Sequence, residues 1–249
     1  MNASQALAPL TAQIQQRLTV LRERIAGAAE RAGRNPAEVT VVAVSKRQPA
    51  NQVAAGVLAG IADLGENYLQ EARAKRTSVA EHLGESSRAG VRWHMIGHLQ
   101  QNKAAAAALT FDTIHSVDRP RLARALDRHA AAGDRRLDIL LQLNLSGETQ
   151  KSGIRAAEVA ELADFCASLP HLRLAGLMTV PAAHSDPEAS RPVFRRLREL
   201  RDELRQRSGC ETLRDLSMGM SVDFEVAVEE GATLVRVGTA VFGPREDAE

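Results

Sequence analysis

The stretch VTVVAVSKRQP, residues 39–49, decides how this chain is read. Val39, Val41, Val42, Ala43 and Val44 form a near-continuous β-branched apolar run. That is the pattern of a strand buried on both faces, as in parallel sheets covered by helices. Lys46 falls where the strand stops, and Pro49 keeps the extended run from continuing. The chain has four lysines (Lys46, Lys75, Lys103, Lys151) against twenty-eight arginines, so a lysine here points toward chemistry that arginine cannot perform, such as forming an imine. Taken alone, Lys46 reads more simply as a surface lysine whose stem lies along the strand exit.

Outward from this strand the pattern alternates. Before it, Leu10, Ile14, Leu18, Leu21 and Ile25 recur at spacings of three and four, an amphipathic helix over 6–31 that ends at Gly33 and Asn35-Pro36. After it, helices are expected at 50–59, 68–83, 99–109, 119–132, 156–168, 191–207 and 222–229. Strands are expected at 61–64, 91–96, 113–117, 137–145, 172–180, 213–217 and 233–237. Eight strands alternating with helices over 249 residues fit a (β/α)₈ TIM barrel. A doubly wound open sheet is the rival, but no G-x-G-x-x-G follows any expected strand. The residues after Val237 are too few for a full eighth helix, and the N-terminal helix is expected to fill that place in the outer ring.

Composition excludes several classes. A content of 44% hydrophobic and 25% charged residues is ordinary for a globular protein, and a formal net charge of +1 without blocks of like charge argues against nucleic acid or acidic membrane as a partner. The N-terminal stretch lacks a signal-peptide pattern, and no apolar run approaches the roughly 18 residues needed to span a bilayer. A cytoplasmic protein is therefore expected. Cys166 and Cys210 have no metal-type spacing and read as ordinary thiols. His82, His115, His129, His171 and His184 make no ligand spacing either, so no metal is expected. His94 reads as a packed core histidine, and His98 as a loop residue or helix cap.

In a barrel the strand exits share one face, where such folds carry their sites. The exits offer Lys46; Gly65, Glu66 and Asn67; His94, Gly97 and His98; Asn144; Met178; Ser217 and Gly219; and Arg236, Gly238 and Thr239. Ser217-x-Gly219 and Gly238-Thr239 each combine a hydroxyl with a glycine that allows close approach to backbone N–H groups, the ingredients of a phosphate site after strands seven and eight. A lysine and a phosphate site together suit a phosphorylated aldehyde, either pyridoxal 5′-phosphate (PLP) or a sugar phosphate in a Schiff-base aldolase. Arg236 could face a pyridine nitrogen or serve in a structural ion pair.

Seven ordered motifs then carry a resemblance: AVSK at 43–46, LGENYLQE at 64–71, WHMIGHLQQNK at 93–103, KSGI at 151–154, GLMTV at 176–180, LSMGMSVDFEVAV at 216–228 and VRVGTAVFG at 235–243. Together they resemble the pyridoxal phosphate homeostasis proteins of the YggS/PROSC type. The resemblance implies a single domain over residues 1–249, an alanine-racemase-like barrel with PLP held as an imine. Lys46 would be the imine lysine, Ser217, Gly219, Gly238 and Thr239 would surround the phosphate, and Asn67 and Arg236 would lie near the ring. Lys151, in a loop near the site, would make a secondary contact or serve in transfer of the cofactor. It further implies a carrier, monomeric or weakly dimeric, that buffers the cofactor or delivers it to apo PLP-dependent enzymes, with no catalytic residue. The alternatives are a PLP-dependent racemase or decarboxylase and a class I aldolase. A racemase of this fold needs a second base facing the imine, typically a tyrosine from an added β-domain, and the single tyrosine of this chain is Tyr68.

Overall fold

The valine-rich run forms β1 (Thr40–Val44), with Val42 and Ala43 wholly buried. It is one stave of a closed, all-parallel barrel of eight strands in sequential order. The computed structural model describes residues 3–83, 90–148, 150–207 and 209–244. The other strands are β2 (Asp63–Glu66), β3 (Arg92–Met95), β4 (Thr113–Val117), β5 (Leu137–Leu143), β6 (Leu172–Thr179), β7 (Asp215–Ser217) and β8 (Leu234–Val237). Closure is direct, because β1 pairs with both β2 and β8, in register Ala43 to Leu64 and Ala43 to Val237.

The outer layer comprises α1 (Ala3–Arg31), α2 (Ala50–Leu58), α3 (Leu69–Leu83), α4 (Ala104–Thr110), α5 (Pro120–Ala132), α6 (Val159–Ala167), α7 (Arg191–Leu204), α8 (Phe224–Glu229) and α9 (Thr239–Phe242). The four-residue α9 is too short for a full eighth helix, and α1 fills that place in the outer ring, between α8 and α2. Its Ile14, Leu18, Leu21 and Ile25 are buried where α1 packs on α2, α8 and α9. Most of the apolar core lies between strands and helices, while inside the barrel a smaller cluster of Val42, Leu140, Ala175, Met178 and Leu234 fills part of the space.

Three expectations need correction. Strand two runs through Gly65 and Glu66 rather than ending at Leu64, because Gly65 must pair with Val44 and Glu66 with Met95. Gly65 is tolerated there because Ile96 and Val42 already occupy the space a side chain would take. Met178 is not an exit residue, since β6 continues to Thr179 and buries Met178 inside the barrel. Glu66 does not line the mouth, because its carboxylate turns outward to Lys75 on α3. The loop expected at 146–153 holds a described Gly153 at φ 124°, apart from residue 149, which lies outside the described residues, as do the chain's ends within the expected domain of 1–249.

Candidate functional site

Strand alternation carries the barrel-facing parity of Val42 to Lys46, just past the end of β1. The residues on either side of Lys46 are pinned from outside the barrel. Lys75 Nζ donates to Ser45 O at 2.6 Å, to Glu66 Oε1 at 2.7 Å and to Glu71 Oε1 at 2.7 Å. Ser45 Oγ donates to Glu66 Oε1 at 2.6 Å, and Glu71 Oε1 accepts the Arg47 N–H at 2.5 Å. Arg47 has φ 59°, a left-handed conformation that costs a non-glycine residue on the order of 1 kcal/mol and persists because neighbours enforce it. Burial pushes the Glu66 carboxyl up despite the ammonium of Lys75. Lys46 is thus a partly buried amine on a turn fixed at both flanks.

On the opposite side of the closure, the exits of β7 and β8 are joined by a hydrogen bond from Arg236 N to Gly219 O at 3.0 Å. Gly219 has φ 87°, and a Cβ there would stand 2.5 Å from Ala227 Cβ, so only glycine fits. The turn after it is tied by the Met220 N–H donating to Asp223 Oδ1 at 2.7 Å, and Ser190 Oγ donates to Asp223 Oδ2 at 2.9 Å. Gly238 lies against the backbone of Val44, two residues before Lys46, and its carbonyl accepts the first bonds of α9 beside an exposed Thr239. These contacts bring Lys46, Gly219, Arg236, Gly238 and Thr239 to one sector of the mouth. Asn67 enters from β2, where Gly97 permits its backbone to approach so closely that a Cβ at 97 would stand 2.4 Å from Asn67 O.

Arg236 is the buried cation of this sector. Its Nη1 donates to Ser217 Oγ at 2.6 Å and its Nη2 to Thr179 O at 2.9 Å. Among the described residues no carboxylate lies within ion-pair distance of it. Burial lowers its pKa to about 10, against the charge of Asp223, which raises it. The guanidinium therefore stays charged at neutral pH.

Ser217, expected at a phosphate, is wholly buried and spends its hydroxyl on Arg236 and on His115 Nδ1 at 2.8 Å. His115 is the residue the sequence reading passed over. Metal-type spacing was the wrong signal, and the alternation Thr113-Ile114-His115 on β4 carried the right one by turning the imidazole inward. His94 is buried, as expected, and bonds His115 and Asp63. Asn144 ties down its own loop by donating to Glu148 O at 2.7 Å, His98 stays at the surface, and Lys151 Nζ reaches Pro181 O and Glu148. A cleft of about 210 Å³ beside the β2 and β3 exits is lined by Asn67, Tyr68, His98 and Lys103. A larger cavity of about 560 Å³, on the flank by Arg76 and Trp93, touches none of the expected site residues. Among the described residues no group of three or more His, Cys, Asp or Glu side chains could hold a metal, and no helix is long and apolar enough to cross a membrane.

Burial, followed by repulsion from any charge on neighbouring His94 and from the charge of Arg236, pushes His115 well below the usual histidine range. The folded protein therefore refuses a proton that the unfolded chain accepts below about pH 6.5. As pH falls from there, wild type should lose about 1.4 kcal/mol of stability per pH unit relative to His115→Asn, in which the carboxylate contributions cancel. Parallel urea-unfolding curves for the two proteins between pH 7 and pH 5 would refute this.

Residues 16–246 match the family model of the alanine racemase N-terminal domain. The chain is 43% identical to the pyridoxal phosphate homeostasis protein of Pseudomonas aeruginosa, over 94% of this chain and 96% of that protein. It is 42% identical to the protein of the same name from Escherichia coli K12, over 92% and 95% respectively. Among solved structures it is similar to PipY of Synechococcus elongatus with PLP bound, at a TM-score of 0.79 and 35% identity, over 92% of this chain and 100% of that one.

Proposed function

The chain belongs to the alanine racemase N-terminal-domain family and, within it, to the pyridoxal phosphate homeostasis proteins, and from that premise we propose that it holds PLP at the barrel mouth and takes part in intracellular PLP homeostasis by buffering or delivery. The observation that carries this reading is Arg236, a buried guanidinium with no carboxylate partner among the described residues, set between two glycine-bearing turns and one strand away from Lys46. A buried cation without a counter-ion suits a ligand that brings acceptors.

Lys46 supplies the amine, on a turn that Lys75 and Glu71 keep from moving. The backbone around Gly219 and Gly238, with the hydroxyl of Thr239, would hold the phosphate. Ser217 would support Arg236 from behind rather than touch the phosphate itself. Asn67 would flank the ring. When bound, PLP supplies an aldehyde to the amine and a ring that can act as an electron sink. Arg236, charged and able only to donate, would keep the ring nitrogen an acceptor and so weaken that sink. This favours a holder over a catalyst. Tyr68, the one tyrosine, is 53% exposed, which does not suit a second base poised in a closed site. Apo PLP-dependent enzymes are the proposed recipients, and a monomer or weak dimer the proposed state.

Titrating the purified protein with PLP tests the reading. One equivalent should bind with a shift in absorbance, and no alanine racemisation should accompany it. Protein that leaves the PLP spectrum unchanged would overturn it. Thr239→Val should weaken PLP retention about tenfold, the worth of one hydrogen bond to a charged group, and equilibrium dialysis with an unchanged dissociation constant would remove Thr239 from the phosphate site.

A further inference from the structure

Five side chains inside the barrel form one unbroken hydrogen-bonded line. From Arg236 Nη1 it passes to Ser217 Oγ at 2.6 Å, and from Ser217 Oγ to His115 Nδ1 at 2.8 Å. It continues from His115 Nε2 to His94 Nδ1 at 2.9 Å, and from His94 Nε2 to Asp63 Oδ1 at 2.8 Å. All five residues are buried, at 5% exposure or less. Asp63 begins β2, at the end of the barrel away from the mouth, and there it meets the exposed Arg92 at 2.8 Å. The two histidine rings meet edge to face, with centroids 5.1 Å apart.

Counting protons gives the line a direction. Arginine only donates, so its bond occupies a lone pair of Ser217 Oγ. In one arrangement the Ser217 hydroxyl donates to a bare His115 Nδ1. The single proton of neutral His115 is then on Nε2 and donated to His94 Nδ1, and that of His94 is on Nε2 and donated to the Asp63 carboxylate. Every contact is satisfied, and the line ends on an acceptor. In the reverse arrangement His115 donates to Ser217 and His94 donates to His115, which leaves His94 Nε2 bare against a carboxylate oxygen at 2.8 Å. That contact fails unless one more proton enters. Arg92 beyond Asp63 and Asp223 near Arg236 are the charged side chains outside the line that bear on its ends. On Asp63, burial raises the carboxyl and the bonds from His94 and Arg92 outweigh it, so the group is held ionised below the usual carboxylate range. An ionised Asp63 favours the first arrangement.

We propose that Asp63, His94 and His115 are positioning residues for Arg236, holding its guanidinium in place at the mouth through a one-way line of hydrogen bonds anchored at the far end of the barrel. This rests on the reading that Arg236 faces the cofactor ring. The line gives the mouth a dependence on a carboxylate that no ligand there touches.

The test uses Asp63→Asn, whose amide can accept from His94 or donate to it, so that the direction is no longer specified. In cofactor-free wild-type protein at neutral pH, long-range proton–nitrogen NMR should find both His94 and His115 protonated on Nε2 and bare on Nδ1. In the variant, both should move to averaged or reversed tautomers. With PLP added, the variant should bind about three- to tenfold more weakly, and the pH midpoint of the bound chromophore should move by about half a unit or more, although Asp63 is three side chains from Arg236. A proton on Nδ1 of either histidine in wild type, tautomers unmoved in the variant, or unchanged PLP affinity with an unchanged midpoint would each overturn the proposal. A variant that does not fold is replaced by His115→Gln, in which the side chain still bonds Ser217 but no longer fixes direction, with the same spectral shift expected. Wild-type protein that shows both tautomers and takes up no PLP overturns the cofactor reading instead, because the tautomers are measured without it.

Discussion

Replacing Lys46 with alanine should abolish covalent capture of PLP while leaving the barrel folded. In wild type, borohydride treatment of the PLP-loaded protein should fix one label, and peptide mass spectrometry should find it on Lys46. The alanine variant should carry none, and its remaining non-covalent affinity should fall by about a hundredfold or more, on the order of 3 kcal/mol. The assignment is clean because only Lys75, Lys103 and Lys151 remain as candidates. Lys75 is 7% exposed and surrounded by three acceptors, so it cannot reach an aldehyde at the mouth. A label fixed on Lys103 or Lys151 in the wild-type protein would move the site to the β3 exit or to the loop after β5.

The second large effect is expected at Lys75 itself. Its side chain is 6% exposed and that of Glu66 is fully buried, so removing the ammonium leaves a carboxylate in a low-dielectric setting with Ser45 as its remaining donor. Lys75→Met should cost about 3–5 kcal/mol, the range for breaking a buried pair from one side. Glu66→Gln combined with Lys75→Met should restore much of it, because the uncompensated charge is then gone. Urea unfolding of the single and double variants measures this, and a single-variant loss below about 1 kcal/mol would show that Glu66 is already neutral when folded. The same substitution frees Ser45 O and loosens the grip on Glu71, whose carboxylate enforces the left-handed Arg47. Slower PLP capture by Lys46 should accompany the lost stability.

The fold was legible wherever burial imposed a period. The valine run of β1, the three-four spacing of α1 and the regular alternation sufficed for an eight-stranded barrel, and α1 takes a place in the outer ring between α8 and α2. Local details were hidden where neighbours decided them. Gly65 and Glu66 look like a turn, and become strand only because β1 and β3 supply partners on both sides. The site divided in the same way. Lys46, Gly219, Arg236, Gly238 and Thr239, the residues proposed to hold PLP, stand out in the sequence by their places at strand ends, and the structure sets them in one sector of the mouth. The task of Ser217 could not be found, because it depends on His115, 102 residues away in the chain. Spacing rules for ligands and nucleophiles cannot detect a contact made across the interior of a barrel. A histidine on the inward parity of an otherwise apolar strand is the sign to look for.

The belt formed by α1 has a consequence for how the protein is made. Arg24 pairs with Glu225, Arg31 with Glu229, and Arg17 donates to Phe242 O, 225 residues further along. Helix α1 therefore waits for partners 198 to 225 residues further along the chain, and β1 keeps an open edge until β8 arrives. Stretches this far apart meet slowly, and until they do the nascent chain carries an exposed apolar helix face beside an unpaired strand. The barrel can close only after β8 has been made, which makes the nascent chain a natural client for chaperones and makes loss of even the short α9, which packs on α1, more damaging than its length suggests.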